Sequence, residues 1–387
     1  MSSEPAPPLR IALAGMIAMA VAMGIGRFVY TPILPGMMQQ LGLSAADARL
    51  IASANYLGYL VGAILAAGGW AEGHERHIML AGLGASALLA GAMGLADSLA
   101  LFLAVRFLAG LASAFVMVFL ASIVFSHLAN ARRSDLQALH FGGVGLGIAS
   151  SSALMLFLIA AGTDWRGGWF GAAAISAAGF VAVAWLVDRG PFVVGHPRRE
   201  PKLPDSWALR KVILAYGLFG LGYIVTATFL VAIVREGDGG RQFEAVVWLA
   251  TGLAGFPSVF LWNRVANRIG LPSAYVLACI VEAAGVTASV ATGGLAGPLV
   301  GGILLGATFI AATSLGLRLA QLMAPLSALR ALALMTAAFG VGQIAGPVLA
   351  GVVAQWSGSF FLPSLGAAAA LLASAAIVWS AERTAST

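Results

Sequence analysis

Three charged side chains stand inside long apolar runs, and they are the first residues of this chain that can do chemistry. Arg27 lies in IALAGMIAMAVAMGIGRFVYTPILPG, Arg106 in LALFLAVRFLAGLASAF and Glu282 in PSAYVLACIVEAAGVTASVAT. A charge at the middle of a bilayer costs about 2.5–3.5 kcal/mol even on the lenient insertion scale, so each needs a physical reason. A guanidinium presents a planar fork of donors that matches carboxylate or phosphate, which makes Arg27 and Arg106 candidates for an anion site. Arg27 has an alternative, reaching outward to lipid headgroups. Glu282 suits either a proton-coupling carboxylate or a neutral acid held by a neighbouring helix. His140, near the start of another apolar run, can titrate near neutral pH or serve as an interfacial residue.

Softer polar groups accompany them. Asn55, Tyr56 and Tyr59 fall in one apolar run, Tyr30 follows Arg27, and Gln343 sits alone in a late one. Tyr216 and Tyr223 are seven apart and therefore share a helix face. Such residues can rim a cavity and hydrogen-bond a solute, or simply tie helices together and mark the membrane interface.

The elements that hold these residues follow from composition. Of 387 residues, 60% are hydrophobic and 9% charged, against about 25% charged in soluble domains. Mean hydropathy is +0.94. These figures exclude a soluble enzyme, a nucleic-acid-binding domain and a disordered chain. Twelve apolar segments are expected as helices: Arg10–Gly36, Ala46–Gly69, His77–Ala96, Ser98–Leu128, Leu136–Ala161, Gly167–Asp188, Leu209–Val234, Phe243–Asn263, Pro272–Thr292, Gly297–Met323, Ser327–Gln355 and Phe361–Ala381. Their length suits a hydrocarbon layer of about 30 Å. In lipid each backbone amide must be satisfied within its own segment, which demands helices here. The first is expected to be a retained helix without a cleaved signal peptide. By helical rise Arg27 and Arg106 sit at comparable depth.

Of 21 Lys and Arg residues, 15 fall on one side of such a topology and 4 on the other, Arg27 and Arg106 being intramembrane. The rule that basic loops stay inside then puts both termini in the cytoplasm and accounts for the net charge of +6 without a nucleic-acid partner. The longest polar stretch, DRGPFVVGHPRREPKLPDSW, is expected as a linker (188–208) between two six-helix bundles, 1–187 and 209–387. Ala71 and Ala266 are 195 apart, Phe141-Gly142 and Phe339-Gly340 198 apart, and the first helices of each half 199 apart, which suggests an internal duplication. Small residues spaced by four recur at Gly58/Gly62, Gly143/Gly147, Gly302/Gly306 and Gly342/Gly346, where helices can approach closely.

At this point the chain resembles the major facilitator superfamily over nearly its full length. Gly68, Ala71 and Arg76 match its G-x-L-A-D-R-x-G-R-R loop, with Glu72 for Asp. Ala266, Arg268 and Gly270 match in the second copy, with Asn267 for Asp. Arg106 to Gly110 looks like its R-x-x-x-G element and Gly342 to Pro347 like its G-x-x-x-G-P element. The stretch Gly24 to Pro35, with Ala54 to Tyr59, is similar to the YbfB/YjiJ-type subfamily. The resemblance implies an all-α fold of two pseudo-symmetric six-helix bundles that rock against each other. Helices 1, 4, 7 and 10 would line a central cavity, and helices 2, 5, 8 and 11 would join the halves. It also implies a structural or proton-relay role as the alternative for Arg106, and a cytoplasmic gate at Glu72, Arg76, Asn267 and Arg268. For Arg76 the alternative is a plain membrane anchor.

The expected function is secondary transport of a small solute, an organic anion coupled to protons. The substrate-binding set is Arg27, Arg106, Tyr30, Asn55, Tyr59, Tyr223 and Gln343, and the proton-coupling candidates are Arg106, Glu282 and His140. The alternatives are a drug or metabolite efflux antiporter, which the buried cations disfavour for cationic cargo, and a non-transporting membrane sensor. No catalytic residue, metal or cofactor is expected. His74-Glu75-Arg76-His77 is one residue short of a zinc-protease motif, and no phosphate-binding GxxxxGK[ST] loop is present, so ATP does not drive the protein directly. A monomer in the bacterial inner membrane, without nucleic-acid partners, completes the expectation. The lone Cys279 precludes an internal disulfide.

Overall fold

The computed structural model describes residues 7–68, 70–71, 73–187, 201–236, 239–292 and 294–385. Twelve of its helices are long and apolar enough to cross a membrane. They are spans 1 to 12: Pro8–Leu41, Ala45–Ala66, Glu75–Leu95, Leu99–Asn130, Ser134–Ala160, Trp165–Leu186, Trp207–Arg235, Gly240–Ile269, Leu271–Ala291, Ala296–Met323, Arg330–Ser357 and Phe361–Glu382. Span 1 starts and span 12 ends on the same side of the twelve-helix bundle, called here the terminal face; the opposite side is the far face. Most of the expected linker (188–200) lies outside the described residues, as does Glu72.

Local chemistry sets the ends. Ser44 caps span 2 in a capping box with Asp47, its hydroxyl accepting from the Asp47 amide at 3.1 Å. Asp164 caps span 6 through the amides of Arg166 and Gly167. Gly42 (φ 66°) stops span 1 and Gly270 (φ 88°) separates spans 8 and 9, conformations that a Cβ resists. The second motif loop differs from its expected form. Span 8 stays helical through Asn267 and Arg268 to Ile269, because no glycine or proline lies between Asn263 and Gly270. Its first-half counterpart carries Gly68 and Gly73 and breaks into turns.

Lipid is as apolar as leucine, so close backbone approach replaces the hydrophobic effect as the source of helix association. The four glycine pairs divide this work symmetrically. Gly58 and Gly62 of span 2 lie against the span 4 backbone at Phe107 and Leu111, and Gly306 of span 10 lies against Thr251 of span 8. Gly143 and Gly147 of span 5 touch span 1 at Met16 and Ala20, and Gly342 and Gly346 of span 11 touch span 7 at Gly217 and Leu221. The same contacts thus recur in spans 1–6 and spans 7–12.

Between halves, span 5 meets span 8 where Gly145 faces Gly252, Gly255 and Phe256, and span 2 meets span 11 where Leu60 fills the space at Gly340. Nearer the far face, Thr31 Oγ1 donates to the Ala227 carbonyl (3.0 Å), and the Tyr56 and Thr228 hydroxyls are 3.1 Å apart. Arg49, near the start of span 2, is 8% exposed and lies over Gly351 of span 11.

Candidate functional site

Span 1 is not one regular helix. Its first segment (Pro8–Met19) widens into a π-helical stretch, Ala20–Ile25, and the α-helix resumes only at Tyr30. The Gly26 amide reaches back five residues to the Val21 carbonyl (2.8 Å), and the Thr31 amide turns to the Phe28 carbonyl (3.2 Å). A break of this kind leaves carbonyls without helical partners, and in a membrane something must satisfy them.

Arg106 of span 4 does so. Its Nη1 donates to the Gly26 carbonyl at 2.9 Å and its Nη2 to the Arg27 carbonyl at 3.1 Å. The guanidinium lies over the Tyr30 ring at 5.1 Å and the Trp169 ring at 6.0 Å. Tyr30 donates its hydroxyl to the Ala48 carbonyl, and the Asn55 amide donates to the Arg106 carbonyl, both at 3.0 Å. Arg106, Tyr30, Asn55 and Trp169 therefore form one buried clasp on the break.

Arg27 projects from the break toward the other half. It is 3% exposed. Its Nη2 donates to Gln343 Oε1 of span 11 at 2.5 Å. The Gln343 amide nitrogen in turn donates to the Tyr223 hydroxyl of span 7. The guanidinium lies over Tyr56 and Tyr59 of span 2 at 4.8 and 4.6 Å, contacts worth about 0.5–2 kcal/mol each. Its Nε has no hydrogen-bond partner. The described ion pairs are Arg133–Asp135, Arg210–Asp205 and Arg235–Glu244, so no carboxylate among the described residues neutralises Arg27 or Arg106.

Behind Tyr223 stands a set of rings in nearly parallel planes. Tyr223 stacks with Phe309 of span 10 (5.8 Å, 8°), Phe339 of span 11 (5.5 Å, 12°) and Phe219 of its own span (5.3 Å, 18°). Tyr216 joins against Phe339 (5.0 Å, 24°). Phe28, beside Arg27, meets Phe309 edge-on at 5.8 Å.

The structure thus brings Arg27, Tyr59, Tyr223 and Gln343 together at the seam between halves, and places Arg106, Tyr30 and Asn55 one layer behind. The other candidates stand apart. Glu282 is fully buried in span 9 with both carboxylate oxygens unbonded. His140 of span 5 is equally buried, between Phe125 and Phe141 and against Gly15, with neither ring nitrogen bonded. Arg76 donates to the Val187 (2.7 Å) and Ala184 (2.9 Å) carbonyls at the end of span 6, within its own half. A cation there offsets the negative end of that helix. Asn267 and Arg268 are exposed in the last turn of span 8. The stacked Phe219, Phe309 and Phe339, and Thr31, Thr228 and Arg49 at the seam, were not among the expected site residues. Phe219 was within reach of sequence reasoning, being one turn before Tyr223; an isolated Phe in an apolar helix carries no such signal.

Solved structures of two transporters share this fold of twelve long helices. The chain matches a mutant of the nucleoside transporter NupG with a TM-score of 0.73 at 13% identity, covering 96% of this chain and 99% of that one. It matches a bacterial homologue of the human lysosomal transporter Spinster, in an inward-facing and unoccupied conformation, with a TM-score of 0.66 at 15% identity, covering 97% and 95%. No curated protein matches. The chain belongs to the major facilitator superfamily, in the family described as "Uncharacterised MFS-type transporter YbfB", whose model matches residues 19–379.

Proposed function

We propose that this member of a transporter family carries a small organic anion by alternating access at the seam around Arg27, as a monomer in a bacterial inner membrane with both termini cytoplasmic. The observation that carries the reading is the state of Arg27. It is a buried guanidinium between the halves, held by a neutral amide from the opposite half and by aromatic faces, with one nitrogen unbonded. An uncompensated buried cation favours the arrival of an anion, whose charge offsets the cost of desolvation.

Arg106 is already engaged by two backbone carbonyls, so we assign it a positioning role: it holds the break that presents Arg27. Tyr223 is assigned to the anion's other side, and Gln343 to bridging Arg27 and Tyr223 until the anion takes its place. The contacts Thr31–Ala227, Tyr56–Thr228 and Arg49–Gly351 would part as the far face opens. Arg76, Asn267 and Arg268 remain the gate candidates at the terminal face. For proton coupling Glu282 is the carboxylate to test, because it is fully buried in span 9 and neither of its oxygens is hydrogen-bonded.

The test is counterflow in proteoliposomes across labelled carboxylates, comparing the native chain with Arg27→Ala. Exchange of at least one carboxylate, abolished by the substitution, is expected. Carboxylate exchange that proceeds unchanged in Arg27→Ala would remove the anion assignment.

A further inference from the structure

We infer that the anion is a planar aromatic monocarboxylate. This rests on the assignment of Arg27 as the anion's partner, and narrows it from three features of the same site.

The first is charge. The site offers one positive group. Arg106, the other buried arginine, spends its two terminal nitrogens on the Gly26 and Arg27 carbonyls. A phosphate ester or dicarboxylate brings about two negative charges and would leave one without a partner in a water-poor seam, which is costly.

The second is the shape of the group now held there. The Gln343 side-chain amide is flat, accepts from Arg27 through Oε1 and meets the Tyr223 hydroxyl through its nitrogen. A carboxylate has the same plane and span. One oxygen would accept from Arg27, and the other from Tyr223, whose hydroxyl turns from acceptor to donor. Displacing Gln343 thus exchanges a neutral bridge for a charged one between the same two groups, Arg27 and Tyr223.

The third is what lies next to that bridge. The ring faces of Tyr223, Phe309 and Phe339 come from three different spans yet lie within 12° of the Tyr223 plane. Across the guanidinium, Tyr56 and Tyr59 present their faces to Arg27. A flat ring attached to a carboxylate held by Arg27 and Tyr223 can lie parallel to these planes. Each offset-stacked partner raises affinity by about two- to tenfold over apolar contact alone. A saturated ring of the same carbon count is puckered and gains only the apolar contact.

The experiment is isothermal titration of the purified full chain in nanodiscs with benzoate, cyclohexanecarboxylate, phthalate and phenyl phosphate, and with an aliphatic dicarboxylate. Benzoate is expected to bind at least fivefold more tightly than cyclohexanecarboxylate and than either doubly charged aromatic. Arg27→Ala should abolish binding of both monocarboxylates. Phe309→Leu and Phe339→Leu, checked for unchanged melting, should bring the benzoate preference toward unity. Equal or tighter binding of cyclohexanecarboxylate overturns the aromatic assignment. So does preferred, Arg27-dependent binding of phenyl phosphate or a dicarboxylate, which leaves the anion reading standing. If no anion binds, or binding ignores Arg27→Ala, the anion reading falls and the present inference with it.

Discussion

Arg27 and Arg106 are 79 residues apart and both nearly fully buried, yet they answer the cost of burial in opposite ways. Arg106 gives both terminal nitrogens to backbone carbonyls, although its Nε, like that of Arg27, has no partner, so removing it strands acceptors that nothing else reaches. Hydrogen bonds from a charged donor contribute about 1.5–3 kcal/mol each. Arg106→Ala is therefore expected to lower the thermal midpoint markedly, with Arg106→Lys intermediate, as differential scanning fluorimetry in detergent would read. Arg27→Ala removes an uncompensated charge together with its bond to Gln343 and its contacts with Tyr56 and Tyr59, so its midpoint is expected to fall less than that of Arg106→Ala while transport is lost. Parallel destabilisation by both substitutions would mean that Arg27 is part of the framework. Much of this was visible in the chain itself: two arginines in apolar runs, and a glutamine and a tyrosine in others. Their separate fates were not. Whether a guanidinium meets carbonyls or a side chain of the other half depends on a break in span 1 that Gly24, Gly26 and Pro32 permit but whose exact form they do not set, and the Arg27–Gln343 bond joins residues 316 apart.

At the scale of elements, glycine decides which helices touch and how tightly. Gly145 sits where spans 5 and 8 cross, and a Cβ there would run into the backbone at Gly252, Gly255 and Phe256. Gly84 of span 3 has only the Phe180 ring nearby, at an ordinary contact distance of 3.7 Å for an added Cβ. Gly145→Val is expected to impair transport by forcing the halves apart, at a cost of about 1–3 kcal/mol for overpacking, while Gly84→Ala stays within experimental error of the native chain in both transport and melting. Equal tolerance at the two positions would show that the span 5–span 8 contact is loose. The spans themselves were legible because lipid permits only helices and because length and polarity mark their ends. The pairing of small residues was legible as a possibility, without the partner: Gly143 and Gly147 serve span 1, while Gly142 and Gly145 on the same run serve span 8. The end of span 8 was misread because the match to a loop motif outweighed the absence of any glycine or proline between Asn263 and Gly270.

For the whole molecule, the question is whether the far-face seam opens during the cycle. Three contacts close it, and one, Arg49 over Gly351, pairs spans 2 and 11 directly. Cys279 is the chain's single cysteine and is buried, so an introduced pair would react without interference. With Arg49→Cys and Gly351→Cys combined, oxidation or a short bis-maleimide should join the halves at this end. If the two bundles rock about the Arg27 seam, the joined protein can expose the site only at the terminal face, and exchange should stop. A reductant should restore exchange to the oxidised pair, and each single substitution should transport before and after oxidation. Electrophoretic mobility of a form cleaved in the 188–208 region reports whether the link has formed. A fully linked protein that exchanges solute at its unlinked rate would show that the halves need not separate at the far face, and that the carrier cycle runs through another opening.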